Sequence, residues 1–274
     1  MRNSKLLYSA LVKGIEQSSD VCKDFHLARL QSVTAEGSHR WLTVTPSRSM
    51  LRLPDDEYRW MAWYRLGVEI PGIRDLPKCP CCYKPDAFLY DPWHYLNCNT
   101  LISVWGTARH NSATLNLMLK SLTAGCHARH EPSHLSNSDS KRPDLELFTI
   151  PEITLIDTVI SNPVAPSHIR SARREALAVA QEAVKCKEKK YKDMAEYQNA
   201  KFLAFACETF GGISKSAKKV VELIADITVT NCPWVTRRET IECLLNENSV
   251  IIQRGNAAIV RAGELQRSIA SRFI

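Results

Sequence analysis

Lys141-Arg142-Pro143-Asp144-Leu145-Glu146-Leu147-Phe148-Thr149-Ile150-Pro151-Glu152-Ile153-Thr154-Leu155-Ile156-Asp157-Thr158-Val159-Ile160 is the stretch that decides the fold. Residues 145–149 and 153–160 are rich in β-formers and apolar side chains, as buried strands are. Pro151 cannot donate a ladder hydrogen bond, so Ile150-Pro151 is expected to be the turn between them. A hairpin turning there pairs Thr149 with Glu152 and, counting outward, sets Asp144 opposite Asp157. Opposed residues of an antiparallel pair share a face, with Cβ atoms about 4.5–5.5 Å apart, and a slip of two residues leaves them roughly 7–8 Å apart. Two carboxylates that close repel unless a proton or a cation neutralises them. A hard divalent cation, Mg²⁺ or Mn²⁺, takes oxygen ligands of this kind and meets substrate phosphates. The competing reading is structural: Pro-Asp can form a turn or a cap, and a strand Asp can meet a backbone donor. Asp157 resists it, because it sits mid-run among Ile, Leu and Val, where an unpaired charge is costly.

Residues 169–197 have helical periodicity. Ala176, Ala180, Ala183, Lys187 and Lys190 fall on one stripe at i+3/i+4 spacing, flanked by Leu177, Val184 and Tyr191. An alanine stripe lets a helix lie close on a sheet, and the two lysines prolong it. Either could hold a scissile phosphate or an attacking water; either could also snorkel from the helix end. Residues 170–192 hold eight Lys/Arg against three Glu, a net of +5 out of the chain's +7. Arg173, Arg174, Lys185, Lys189 and Lys192 lie off the stripe or at its edges, where contacts to DNA phosphates are expected.

A second constellation lies upstream. Cys79-Pro80-Cys81-Cys82, Asp91-Pro92-Trp93-His94 and Cys98 give the spacing C-x2-C-x11-H-x3-C for Cys79, Cys82, His94 and Cys98. Zinc prefers four thiolate and imidazole ligands with close pairs on tight turns, and Cys81 is an alternative to Cys79 or Cys82. Neighbouring prolines and aspartates supply the turn chemistry. Buried free cysteines are the rival reading, weakened by three at one knot with a histidine.

Elsewhere the chain is less specific. Residues 6–15 read as an amphipathic helix, 41–46 as a short extended piece, and 55–66 as a helix stopped by Gly67. Residues 101–122 read as one or two helices, with Arg109-His110-Asn111 near a break; His110 could line the site, and capping or core roles for the trio are at least as well supported. His127, His130 and His134 follow Cys126 in what reads as a loop, and residues 131–141 as a linker. Residues 202–208 read as a buried strand, Gly211-Gly212 as a turn into a helix from Ser214, and 237–270 as terminal helices without evident chemistry.

Arg109-His110-Asn111, Arg142-Pro143-Asp144, twelve residues, Asp157, then Lys187-x-x-Lys190-Tyr191 resembles the restriction-endonuclease-like domain of non-LTR retrotransposon proteins, elements that nick a target strand and reverse-transcribe from the nick. The resemblance implies the PD-(D/E)XK nuclease class. That class usually carries its lysine two residues after the second acid; here that position is Val159, and the retrotransposon variant has its lysine on the following helix, as Lys187 or Lys190 would be. It also implies a CCHC knuckle upstream of the nuclease and places Glu208-Thr209-Phe210-Gly211-Gly212 at the next strand. Trp41-Leu42, Pro46, Leu53, Asp56 and Arg65-Leu66-Gly67 resemble the family's polymerase-to-nuclease segment. The implied fold is a mixed α/β (α+β) sheet core flanked by helices: a helical connector over 1–75, the knuckle over 76–100, the nuclease core over 101–230 and helices over 231–274.

The chain has 274 residues, is 45% hydrophobic and 24% charged, and carries a net charge of +7, a soluble-globular composition with a mild preference for anionic partners. No apolar stretch is long enough to span a membrane, and no secretory signal is visible, so the ten cysteines are expected to be reduced and, where clustered, metal-binding. Three functions follow. The first is a Mg²⁺-dependent DNA endonuclease with a structural zinc, acting on DNA in the nucleus alongside element RNA and a reverse transcriptase supplied by a longer chain or in trans. In it Asp144 and Asp157 hold the metal, Lys187, Lys190 and Tyr191 complete the site, and Arg109, His110 and Glu208 stand nearby. The second is a nucleic-acid-binding remnant or domesticated fragment without catalysis. The third is a structural zinc protein that binds other proteins.

Overall fold

The hairpin forms the middle of a four-stranded mixed sheet. The computed structural model describes residues 2–135, 142–149 and 152–272; Lys141, Ile150-Pro151, where the turn is expected, and much of the expected linker lie outside them. The strands are β1 (His127–His130), β2 (Leu145–Phe148), β3 (Ile153–Ser161) and β4 (Ala200–Glu208), in the order β1-β2-β3-β4. The first two pairings are antiparallel and β3–β4 is parallel, which requires a crossover connection. Leu145 pairs with Ile156, and the Thr149 N–H donates to the Glu152 carbonyl at 2.9 Å. The same register, one residue beyond β2, sets Asp144 opposite Asp157.

Ahead of the sheet come α1 (Arg2–Glu16), α2 (Lys23–Thr34), α3 (Arg40–Thr43), α4 (Asp55–Leu66), α5 (Ala87–Tyr90), α6 (Asn99–Leu101) and α7 (Thr107–Thr123); a π-helical turn, Ile102–Gly106, joins the last two. The crossover contains α8 (Ile169–Ala172) and α9 (Ala178–Tyr197), and α10 (Lys215–Asn231) and α11 (Arg237–Ala270) follow β4. Helix ends follow local chemistry. Asp55, Asp56 and Glu57 fill the first turn of α4, where the helix dipole favours them, and Gly67 closes it in the left-handed conformation at φ 76°. Thr236 and Glu239 form a reciprocal capping box at the start of α11.

Four expected elements differ. The extended piece at 41–46 begins as the helical turn α3, because Trp41 is buried and its N–H donates to Ser249 Oγ on α11; the tertiary contact outweighs β propensity. The histidine-rich loop contains the edge strand β1, whose polar side chains suit a sheet edge. The single helix over 169–197 is broken into α8 and α9 at Leu177, which has a φ of 63° and whose side chain packs where a Cβ at Gly212 would otherwise sit. The terminal helices are one continuous 34-residue helix, α11.

Helix α11 is common to two buried clusters. One joins Phe25, Met61, Tyr64, Trp93, Tyr95 and Phe210 to Val250, Ala257 and Val260 of α11. The other joins Leu117 of α7, the inner face of the sheet (Leu147, Ile156, Phe205) and Val220 and Ile224 of α10 to Leu244, Leu245 and Ile252 of α11. Two glycines let neighbours approach. A Cβ at Gly255 would overlap the stem of Arg109, and one at Gly263 would overlap the Tyr95 ring. Among the described residues no helix is long and apolar enough to cross a membrane.

Candidate active site and metal centre

Asp144 stands at the mouth of β2, anchored by a backbone bond from the Glu131 N–H to its carbonyl at 2.8 Å. Its Oδ2 accepts from the Thr158 N–H at 2.6 Å and lies 3.0 Å from His110 Nε2 on α7. Three acceptors surround that imidazole: Asp144 Oδ2, the Thr158 carbonyl at 3.0 Å and Asn111 Oδ1 at 3.1 Å. Nε2, which faces a carboxylate and a carbonyl, carries a proton. Asp144 accordingly raises the His110 pKa to about 9, against the opposing effect of burial.

Asp157 is 3% exposed. Its Oδ1 accepts from the buried Tyr191 hydroxyl at 2.6 Å, which also lies 2.7 Å from the Arg142 carbonyl. Its Oδ2 forms an ion pair with Lys187 Nζ at 2.6 Å, the contact that makes so buried a charge tolerable. Tyr191 stacks on Phe202 of β4 at 4.9 Å between centroids. Desolvation first, then the Asp157 hydrogen bond, pushes its phenol pKa well above the ordinary value, so it stays a donor.

The face of α9 against the sheet differs from the alanine stripe. Ala180, Lys187, Tyr191 and Ala195 turn inward, with Ala180, Tyr191 and Ala195 buried. Lys190 is off that face: it is exposed, over the Tyr191 ring at 4.8 Å, and pairs with neither acid. Arg174, Lys185, Lys189 and Lys192 are exposed, whereas Arg173 is held by Asp24 of α2 at 2.7 Å. Arg109 is also away from the acids, buried and donating from Nη1 to Asn256 Oδ1 on α11. Glu208 shares the Asp157 face of the sheet but lies at the far end of β4, paired in register with Ser161. It is 0% exposed, and neither oxygen has a hydrogen-bond partner in full geometry. Burial raises its pKa to about 7, partly offset by Ser32 and the amides of Ala180 and Val179 at the start of α9.

One acid was missed in the sequence. Glu146 is 1% exposed and lies two residues along β2 from Asp144, on the same face. Arg129 Nη1 of β1 meets it at 3.1 Å and His134 at 3.4 Å. The period-two spacing of Asp144 and Glu146 was the available signal.

The cysteine cluster closes upstream. One ligand atom from each of Cys79, Cys82, His94 and Cys98 lies within 4.8 Å of all the others; Cys81 is outside that set. Cys79 Sγ and Cys98 Sγ are 4.0 Å apart and Cys82 Sγ is 3.3 Å from His94 Nε2, separations that tetrahedral Zn–S bonds of about 2.3 Å and Zn–N bonds of about 2.0–2.1 Å can span. The first pair sits on a tight hairpin, with the Cys79 N–H donating to the Lys84 carbonyl at 2.9 Å. Asp91 Oδ2 lies 3.9 Å from His94 Nδ1 and accepts from Asn97 Nδ2 at 2.7 Å, a carboxylate placed to orient the ring. This Cys₃His group can hold a structural metal such as zinc, and four protein ligands leave no open position for chemistry.

A buried polar network runs from the cysteine cluster to α11. Asn97 accepts from Asn162 Nδ2 at 2.8 Å, and Asn162 accepts from the Tyr64 hydroxyl at 3.0 Å. Tyr64 Oη is also 3.1 Å from Thr209 Oγ1, and the Thr209 carbonyl accepts from Asn256 Nδ2 at 2.7 Å. No protein-family model and no curated protein matches the chain.

Proposed function

We propose that the protein is a divalent-metal-dependent DNA endonuclease of the PD-(D/E)XK type, and that it nicks target DNA as non-LTR retrotransposon nucleases do to prime reverse transcription. The observation that carries it is the opposition of Asp144 and Asp157 across the β2–β3 hairpin, with each acid already neutralised by a cation, His110 and Lys187. Two acids held face to face by a rigid hairpin are costly unless positive charge is meant to lie between or beside them.

Asp144 and Asp157 would hold Mg²⁺ or Mn²⁺, whose oxygen preference fits this donor set. Such an ion, when bound, lowers the pKa of water and offsets charge on the phosphate. Tyr191 fixes Asp157 by donating to Oδ1, and the Thr158 N–H fixes Asp144, so both carboxylates are pre-oriented. Lys187, paired with Asp157, would exchange that partner for a phosphate oxygen or an attacking water. The exposed Arg174, Lys185, Lys189 and Lys192 would take remote phosphates of the duplex. Nuclear action and element RNA and reverse transcriptase partners belong to the same proposal.

Supercoiled plasmid incubated with the purified protein and Mg²⁺ or Mn²⁺ is expected to yield nicked circles, and Asp157→Ala none. If the parent binds the plasmid but never cuts it with either ion, the non-catalytic nucleic-acid-binding reading replaces this one.

A further inference from the structure

Cys243 has a neighbourhood that the proposed chemistry does not use. Cys243 and Glu247 are four residues apart on α11, so their side chains share a face. The Cys243 thiol donates to Glu247 Oε1 at 3.2 Å. Lys120, in the last turn of α7, donates to the same oxygen at 2.7 Å, and its Nζ lies 3.8 Å from Cys243 Sγ. Glu247 is 1% exposed, and its Oε2 has no partner among the described residues. A carboxylate so deep needs a cation, and that need holds the lysine nitrogen beside the thiol. Arg48 Nη1 stands farther off, 3.9 Å from Oε1. Other thiols are placed differently: Cys22 meets a guanidinium and a carbonyl, and Cys126 two carbonyls.

The group is open to a small reagent. Cys243 is half-buried and, with Lys120, Arg48 and Thr240, lines a cleft of about 390 Å³ bounded by α7, α10 and α11. Burial and then Glu247 hold the thiol above its ordinary pKa, against Lys120 and Arg48. The thiolate is the nucleophile, so the sulfur attacks an oxidant as Glu247 takes its proton.

We propose that Cys243 and Lys120 are a modification site, closed by hydrogen peroxide into a reversible sulfenamide cross-link between α7 and α11, with Glu247 as the proton acceptor. In the first step Cys243 Sγ attacks one peroxide oxygen. An S–O bond forms, the O–O bond breaks, and the thiol proton, passed through Glu247, leaves with the other oxygen as water. Cys243 is then a sulfenic acid, a group that condenses with a nearby nitrogen. In the second step Lys120 gives one proton to Glu247, and its neutral amine attacks Sγ. The S–N bond forms, the S–O bond breaks, and the departing hydroxide takes a second amine proton to become water. The proton left on Glu247 goes to solvent. Sulfur loses two electrons, and the peroxide is reduced to two waters. The flexible lysine stem allows the 3.8 Å gap to close. An added thiol attacks the sulfur and restores both side chains. The link fastens α7, which carries His110, to the helix common to both buried clusters. This inference is independent of the nuclease reading.

The test is peptide mass analysis of the whole protein treated with hydrogen peroxide, with free thiols then blocked by iodoacetamide and digestion carried out without reductant. The peptides carrying Lys120 and Cys243 are expected to be joined, two hydrogens lighter than their sum, and to separate again in dithiothreitol. Lys120→Arg keeps a cation beside Glu247 but has no amine to condense. In that variant the link should be lost, and dimedone should capture Cys243 as the sulfenic acid. If dimedone captures Cys243 in the parent and no joined pair forms, the cross-link is wrong. A disulfide from Cys243 to another cysteine overturns Lys120 as its partner. If the exposed Cys186 is oxidised while Cys243 is untouched, the site itself is overturned.

Discussion

At the scale of single residues, the two stripe lysines are not equivalent. Lys187 meets Asp157 at 2.6 Å and Lys190 is exposed. Lys187→Ala is expected to bind DNA within about twofold of the parent and to cut at least about a hundredfold more slowly in single-turnover assays, the signature of a group that acts in the transition state. Lys190→Ala should cut at nearly the parent rate. His110 makes a pH prediction. Its folded pKa of about 9 lies above the ordinary value of about 6.5, so folding takes up a proton between the two. The His110–Asp144 pair therefore stabilises fully below about pH 6.5, and that contribution is lost as pH rises through about 9. Comparing denaturant unfolding of the parent and His110→Gln from pH 6 to 10 should show a parent advantage of about 1.5–3 kcal/mol at pH 6, typical of a charge-assisted hydrogen bond, shrinking toward zero by pH 10. A constant difference across that range would mean the ring is neutral throughout.

At the scale of elements, Glu208 concerns the seat of α9 rather than the chemistry. An acid whose folded pKa is raised to about 7 by burial destabilises its charged form, so its contribution is most favourable at low pH and declines as pH rises from about 4.5 to about 7. Glu208→Gln, neutral at every pH, should be the more stable protein at pH 8 by on the order of 1–3 kcal/mol and lose that advantage near pH 5, as read by thermal unfolding. Glycines set the spacing between α11 and its neighbours in the same way that alanine does on α9. Gly263→Ala would push a methyl into the Tyr95 ring and is expected to cost about 1–3 kcal/mol. Not all of this was legible in the sequence. The opposed acids were, because hairpin register is arithmetic outward from an expected turn, and the Thr149–Glu152 bond and the Leu145–Ile156 pairing keep that register. The gathering of Cys79, Cys82, His94 and Cys98 was, because metal geometry restricts spacing. The break at Leu177 was not: a leucine in the left-handed region is held there by packing over Gly212, a contact 35 residues away in sequence. Nor was β1, whose His127, Arg129 and His130 look like loop residues until β2 supplies their partners. The inward face of α9 is rotated from the alanine stripe toward Tyr191, which is drawn in by Asp157 and Phe202 rather than by apolar periodicity alone.

At the scale of the whole molecule, the cysteine cluster and the sheet belong to two buried clusters that α11 joins. Tyr95, one residue after His94, is buried against Gly263 of α11, and its hydroxyl donates to Glu264 Oε1 at 3.2 Å. Metal analysis is expected to find about one zinc per chain, and stripping it with a strong chelator should lower the thermal midpoint of the entire protein in one transition, because binding energy at a structural zinc is folding energy. Two separate transitions, with the sheet unmoved, would mean the centres fold independently. The position of α11 in the chain has a temporal consequence. It is made after every other described element, and both buried clusters need its side chains. At about 5–20 residues per second, its 34 residues take roughly 2–7 s to be synthesised. For that interval the nascent hairpin has its acids but not the helix that closes the core behind them. The core would thus stay open until the last described helix is made, and a ribosome stalled before residue 237 would carry an open, aggregation-prone chain.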